Sequence, residues 1–98
     1  MATKKLISVD FEVFGIVQGV FFRKHTQKQA KKLEIRGWCK NTDRQTVEGQ
    51  LEGVEQQVSI MKDWLRNTGS PSSRIDKAEF KNEKDIEDYT FSGFSIRH

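Results

Sequence analysis

Ile7, Val9, Phe11 and Val13 alternate with Ser8, Asp10 and Glu12. Alternation of period two sets one face of a strand on a core and the other in water, and it predicts a strand from Leu6 to Phe14. Phe22, Thr26, Ala30 and Leu33 then recur at helical spacing among Lys and Gln, which predicts a helix from Phe22 to Leu33. Ile35 to Asn41 reads as a second strand, and Asn41-Thr42-Asp43-Arg44 is turn chemistry. Val47, Gly49 and Leu51 alternate with Glu48, Gln50 and Glu52, giving a third strand hairpinned to the second. Val54, Val58, Met61 and Leu65 mark one face of a second helix, with Ile60 and Trp64 beside it. The stretch from Asn67 to Ser73, with Gly69 and Pro71, stops that helix. Ile75, Ala78 and Phe80 predict a fourth strand. Phe91, Phe94 and Ile96 predict a last one, with Gly93 at a bulge.

The element order is β-α-β-β-α-β with an extra C-terminal strand. It implies an α+β fold, the ferredoxin-like split βαβ sandwich, in which two helices pack on one face of an antiparallel sheet. This arrangement hosts many functions, so the chemistry must come from particular residues. The chain of 98 residues suits one domain with a single core. At 35 % hydrophobic and 32 % charged it is not a disordered chain. A net charge of +3 suits anionic partners, but the basic residues are dispersed, and Lys4-Lys5, Lys28 and Lys31-Lys32 read as solvated faces and ends. Cys39 is the only cysteine, so no intrachain disulfide is possible. With His25 and His98 it cannot complete a structural zinc site. Met1-Ala2-Thr3-Lys4-Lys5 leads straight into the first strand pattern, with no apolar signal core, no membrane-length run and no myristoylation glycine. The expectation is a cytoplasmic monomer without cofactor, metal or membrane partner.

The segment with chemistry in it runs from Phe14 to Arg23, between the first strand and the first helix. Gly15 and Gly19 allow a tight loop, since φ > 0 costs glycine little. A loop running into a helix start can aim several amide N–H groups at one point, and such a point binds anions, phosphate above all. Arg23 adds a planar fork of donors that matches a pair of phosphate oxygens. The first helical turn holds Arg23, Lys24 and His25 and no acid. Cations there cost about 0.3–1 kcal/mol each unless an anion compensates. Lys24 and His25 read as a solvated helix start, and Arg23 as functional. Asn41 by itself is a good turn opener. Trp38 and Trp64 read as core or core-edge residues, and Asp10 and Glu12 as an exposed sheet face.

An RNA-binding or other non-catalytic anion-binding module is a second reading of such a fold. RNA-binding members display aromatics on the sheet face. Here Phe11, Phe91 and Phe94 fall mainly on inward positions, and the outward Ser8, Asp10 and Glu12 would repel a phosphate backbone. That argues against a nucleic-acid partner. A purely structural domain leaves Arg23 and the glycine loop without a reason.

Two segments carry a family resemblance. Gly15-Ile16-Val17-Gln18-Gly19-Val20-Phe21-Phe22-Arg23 resembles the acylphosphatase signature loop without a gap. Gly37-Trp38-Cys39-Lys40-Asn41 resembles the second signature, with Val47 and Gly53 following at family spacing. The likeness covers nearly the whole chain, including Gly69-Ser70-Pro71 and the Phe94-Ser95-Ile96-Arg97 ending, so residues 1–98 read as a single acylphosphatase-like domain. The resemblance implies hydrolysis of the carboxyl–phosphate bond of acyl phosphates without metal, releasing inorganic phosphate. The essential arginine of the family falls on Arg23 and its essential asparagine on Asn41. The amides that cradle phosphate fall on Gly15, Ile16, Val17, Gln18, Gly19, Val20 and Phe21. One departure is Gln45, where the family usually has glycine; a φ > 0 there would cost of order 1 kcal/mol. Cys39 stands where the family often has Val, and reads as a small buried side chain.

Overall fold

A computed structural model describes residues 5–98. Lys4 and the three residues before it lie outside the described part. The chain folds as β1 (Leu6–Ile16), α1 (Phe22–Lys32), β2 (Arg36–Asn41), β3 (Val47–Val54), α2 (Glu55–Asn67), β4 (Arg74–Ile86) and β5 (Phe94–Arg97). The strands form one sheet in the order β4-β1-β3-β2-β5. Two helices pack on it, giving the ferredoxin-like α+β architecture expected.

The inward residues of β1, namely Ile7, Val9, Phe11 and Val13, are all buried. They meet Phe22 and Ala30 of α1, Val58, Met61 and Leu65 of α2, and Cys39, Val47 and Leu51 of the hairpin in one core. Full burial of an aliphatic or Phe side chain stabilises by about 1.5–3 kcal/mol, so this cluster dominates the fold. The rings of Phe22 and Trp64 pack tilted at 5.8 Å between the two helices.

β5 departs from the expected antiparallel sheet. It runs parallel to β2, pairing Gly37 with Phe94 and Lys40 with Arg97. The reason is directional. β4 ends beside the start of β1, with Ile86 opposite Leu6. That is also the end of the sheet where β2 begins, so a strand launched from there must run as β2 does. Phe91 precedes β5, and Gly93 lies in the bend before it rather than at a bulge, its carbonyl accepting from Gly37 N at 2.9 Å.

β4 is also longer than its few apolar positions predict. Its outer half, Lys81 to Ile86, is charged and mostly exposed, and only pairing with β1 keeps it extended. Two β1–β4 register shifts bend this edge, one between Ser8 and Asp10 and one between Phe14 and Gly15.

Glu12 contradicts the exposed-face expectation, and Glu52 of β3 is buried too. Glu12 is buried, with Oε2 accepting from Thr46 Oγ1 at 2.6 Å and from Arg44 Nε at 3.1 Å. Glu52 is buried under the chain entering β5, accepting from the amides of Thr90 and Phe91 at 2.9 and 3.1 Å. Trp38 is half-buried on the helix-free face, beneath the Arg97 guanidinium at 4.4 Å, rather than in the core.

Candidate active site

β1, β2 and β5 all end at one edge of the sandwich, and α1 begins there. This topology alone brings the glycine segment, Asn41 and the last residues of the chain together. Gly15, the last residue but one of β1, has φ 136°, and a Cβ there would lie 2.1 Å from the Arg74 carbonyl oxygen. No other residue fits. Val17 is buried and anchors the loop in the core. Gly19 turns at φ 75° into open space, so its need for glycine is conformational and not steric. Phe21 then adopts the left-handed conformation, φ 58° and ψ 26°, at the N-cap of α1.

The start of α1 has no capping side chain and no acid in its first turn. An uncapped helix start leaves amide donors free and concentrates positive potential. Arg23 lies in that turn and points across to the end of β5. Its Nη1 donates to the Arg97 carbonyl at 3.3 Å and lies 3.4 Å from His98 Nδ1. Asn41 closes β2 on the same side. Its Oδ1 is buried with no hydrogen-bond partner in the protein. Leaving such an oxygen unpaired costs about 1–3 kcal/mol.

The loop and the β2–β3 turn are tied together. Gln18 Nε2 donates to the carbonyls of Thr42 at 3.0 Å and Thr46 at 2.9 Å. The Thr42 and Thr46 hydroxyls lie 2.6 Å apart, and Thr46 reaches on to Glu12. Glu12 has its pKa lowered by the Thr46 hydroxyl, and further by the Arg44 guanidinium. Gln45 turns at φ 64°, so the left-handed strain expected of this non-glycine residue is present.

A cavity of about 360 Å³ opens at this edge. Arg23, Asn41, Val17, Gly19 and Phe21 line it, together with Phe22, Lys24, Ile96 and His98. Gly15, Ile16, Gln18 and Val20 lie beside it. Gly15 and Ile16 belong to β1, Gln18 turns its side chain to the hairpin, and Val20 packs on the core. Lys24, read as merely solvated, is therefore on the cleft wall, as is His98. Nothing in the sequence marks His98, because only the parallel pairing of β5 with β2 carries it there. Cys39 lies fully buried behind Arg23, and burial pushes its thiol pKa up to about 12, which keeps it protonated and inert at neutral pH.

Fold and cleft define a class: a small α+β protein with a cationic cleft where a glycine loop meets a helix start. The acylphosphatase family model matches residues 9–96. Acylphosphatase-2 of Gallus gallus is 56 % identical over 97 residues, covering 99 % of this chain and 94 % of that one. Acylphosphatase-1 of Homo sapiens is 59 % identical over 91 residues, covering 93 % and 92 %. Among solved structures, an acylphosphatase from Bacillus subtilis superposes with a TM-score of 0.85 at 33 % identity, over 94 % of this chain and 99 % of that one. The chain belongs to the acylphosphatase family.

Proposed function

We propose that this protein hydrolyses the carboxyl–phosphate bond of acyl phosphates, yielding a carboxylate and inorganic phosphate. In this reading Arg23 and the amides between Gly15 and Phe21 hold the phosphoryl group, and Asn41 orients the attacking water. The observation that carries it is the pairing, in one cleft, of the uncapped start of α1 and Arg23 with the unpartnered buried amide oxygen of Asn41.

The leaving group of an acyl phosphate is a carboxylate, whose conjugate acid has a pKa of about 4. Such a group departs at neutral pH without a general acid. Phosphoryl transfer then rests on positioning and on stabilising charge over the phosphoryl oxygens. The Arg23 fork and fixed amides supply that stabilisation directly. Asn41 does not titrate near neutrality, so it is no general base. Its Oδ1 can accept from a water and hold it in line with phosphorus and the leaving oxygen. The metal-free character of the reaction is part of the proposal.

The test is hydrolysis of an aryl acyl phosphate in the presence of a chelator. Turnover is expected. Folded protein without turnover, with or without added divalent ions, overturns the enzyme reading, and turnover only with added metal overturns its metal independence. Asn41→Ala should lower kcat about 10²-fold or more while changing inhibition by inorganic phosphate far less. If phosphate inhibition collapses together with kcat, Asn41 is a binding or structural residue and not a water-positioning one.

A further inference from the structure

Two chemical kinds of side chain line the cleft. Arg23 and Lys24 are cationic. Val17, Phe21, Phe22 and Ile96 are apolar. Three of these four have a reason to be there that concerns folding. Val17 and Phe22 are buried in the core, and Ile96 packs against it. Phe21 has none. Its side chain is 72 % exposed, the most of any large apolar residue among those described, and it has no place in the core cluster. It makes no capping hydrogen bond for α1, and it occupies a left-handed backbone conformation at φ 58° that suits Gly or Asn far better than a bulky residue. A large aromatic ring held in water on a strained backbone at the mouth of a cleft calls for a functional account.

We infer that Phe21 is a specificity-determining residue, forming with Ile96 the subsite for the acyl group, so that this protein prefers acyl phosphates with an aromatic or extended aliphatic acyl group over those with a small one. The inference rests on the proposed hydrolysis at this cleft and adds to it a substrate class. With the phosphoryl group held at Arg23, the acyl carbon and its substituent extend along the apolar side chains of the lining. A phenyl or alkyl group then lies against the exposed Phe21 ring and loses its water there, whereas a methyl group reaches little of it. Contact with a group remote from the breaking bond is made equally in the ground state and the transition state. It therefore appears mainly in KM.

The experiment measures kcat/KM for benzoyl phosphate and acetyl phosphate in the wild type, Phe21→Ala and Phe21→Leu, with inhibition by inorganic phosphate in each. The expected result is a fall of about tenfold in the benzoyl-to-acetyl ratio for Phe21→Ala, carried by KM. Phe21→Leu, which keeps an apolar side chain, should restore part of it. A ratio within twofold of wild type in Phe21→Ala overturns the inference. So does an equal loss on both substrates with weakened phosphate inhibition, which would make Phe21 a residue of loop conformation only. Wild-type protein that turns over neither substrate overturns the hydrolase reading itself, and that failure is distinct from hydrolysis of both with an unchanged ratio.

Discussion

The two helices begin in opposite ways. At α2 the N-cap Val54 is extended, Glu55 stands in the first turn, and its amide donates to the Lys5 carbonyl at 2.9 Å. The Glu55 carboxylate answers the positive end of the helix dipole and pairs with Lys5 at 3.4 Å. At α1 the N-cap Phe21 is left-handed, the first turn has no acid, and Arg23 and Lys24 add charge of the same sign as the dipole end. Neither start has a side-chain cap. The protein thus satisfies one helix start internally and leaves the other with excess positive potential facing a cleft. In the proposed function a phosphoryl dianion would neutralise that potential, so the unfavourable local electrostatics of α1 in the free protein would become favourable binding in the complex.

The largest test of this contrast is Arg23. Arg23→Ala should lower kcat/KM by about 10²–10³-fold, the range seen when a single preorganised charge-stabilising donor is removed. Arg23→Lys should recover little, because a point charge does not reproduce a two-pronged donor. Steady-state kinetics with an aryl acyl phosphate checks both. Near-normal kinetics for Arg23→Lys would mean that the potential at α1 matters and the geometry of the fork does not.

How far the sequence reaches differs between these regions. The alternation in β1 and the helical spacing of Phe22, Thr26 and Ala30 placed the core and the α1 start, because burial follows period. That Arg23 and Asn41 share one cleft follows the two family signatures, each of which carries its own residue pattern. The burial of Glu12 and Glu52 was not legible. Period alone puts Glu12 on the wet face of β1, and only the distant Thr46 and Arg44 bury and satisfy it. Glu52 likewise needs the amides of Thr90 and Phe91, far along the chain. The outer half of β4 escaped because an edge strand facing water needs no alternation. His98 entered the cleft through strand direction, which no local pattern encodes.

The contrast sharpens further at Glu12, whose bonds to Thr46 and Arg44 hold the hairpin that Gln18 ties to the α1 side. The α2 start is tied instead to Lys5, through its carbonyl and its ammonium group. Glu12→Gln should destabilise by about 1.5–3 kcal/mol, the usual range for hydrogen bonds to a charged group. The pH dependence follows from the direction of the pKa shift. The folded-state value lies below the ordinary carboxylate range of about 4.3. The contribution is therefore full above that range, and it is lost as pH falls through the lowered folded-state value. Denaturant midpoints of wild type and Glu12→Gln, compared from neutral to acidic pH, should differ by a constant amount above about pH 5 and converge in stronger acid. A difference independent of pH would show that packing around Glu12, and not its charge, holds the brace.

The smallest expected effect is the most direct exchange between the two helix starts. Lys24→Glu gives α1 the acid it lacks, and Glu55→Gln removes the acid from α2. Near a helix N-terminus each change is worth about 0.3–1 kcal/mol, stabilising in the first case and destabilising in the second. For a domain of this size that is at most several degrees in Tm. Thermal melts with and without inorganic phosphate separate stability from binding, since a ligand that binds only the folded state raises Tm. Glu55→Gln should melt lower and keep the full shift produced by phosphate. Lys24→Glu should melt higher in its absence and gain less from phosphate, because the new carboxylate answers the dipole and repels the anion. If Lys24→Glu instead keeps the full phosphate shift, the potential at the α1 start is not what attracts the ligand, and the difference between the two helices is one of stability alone.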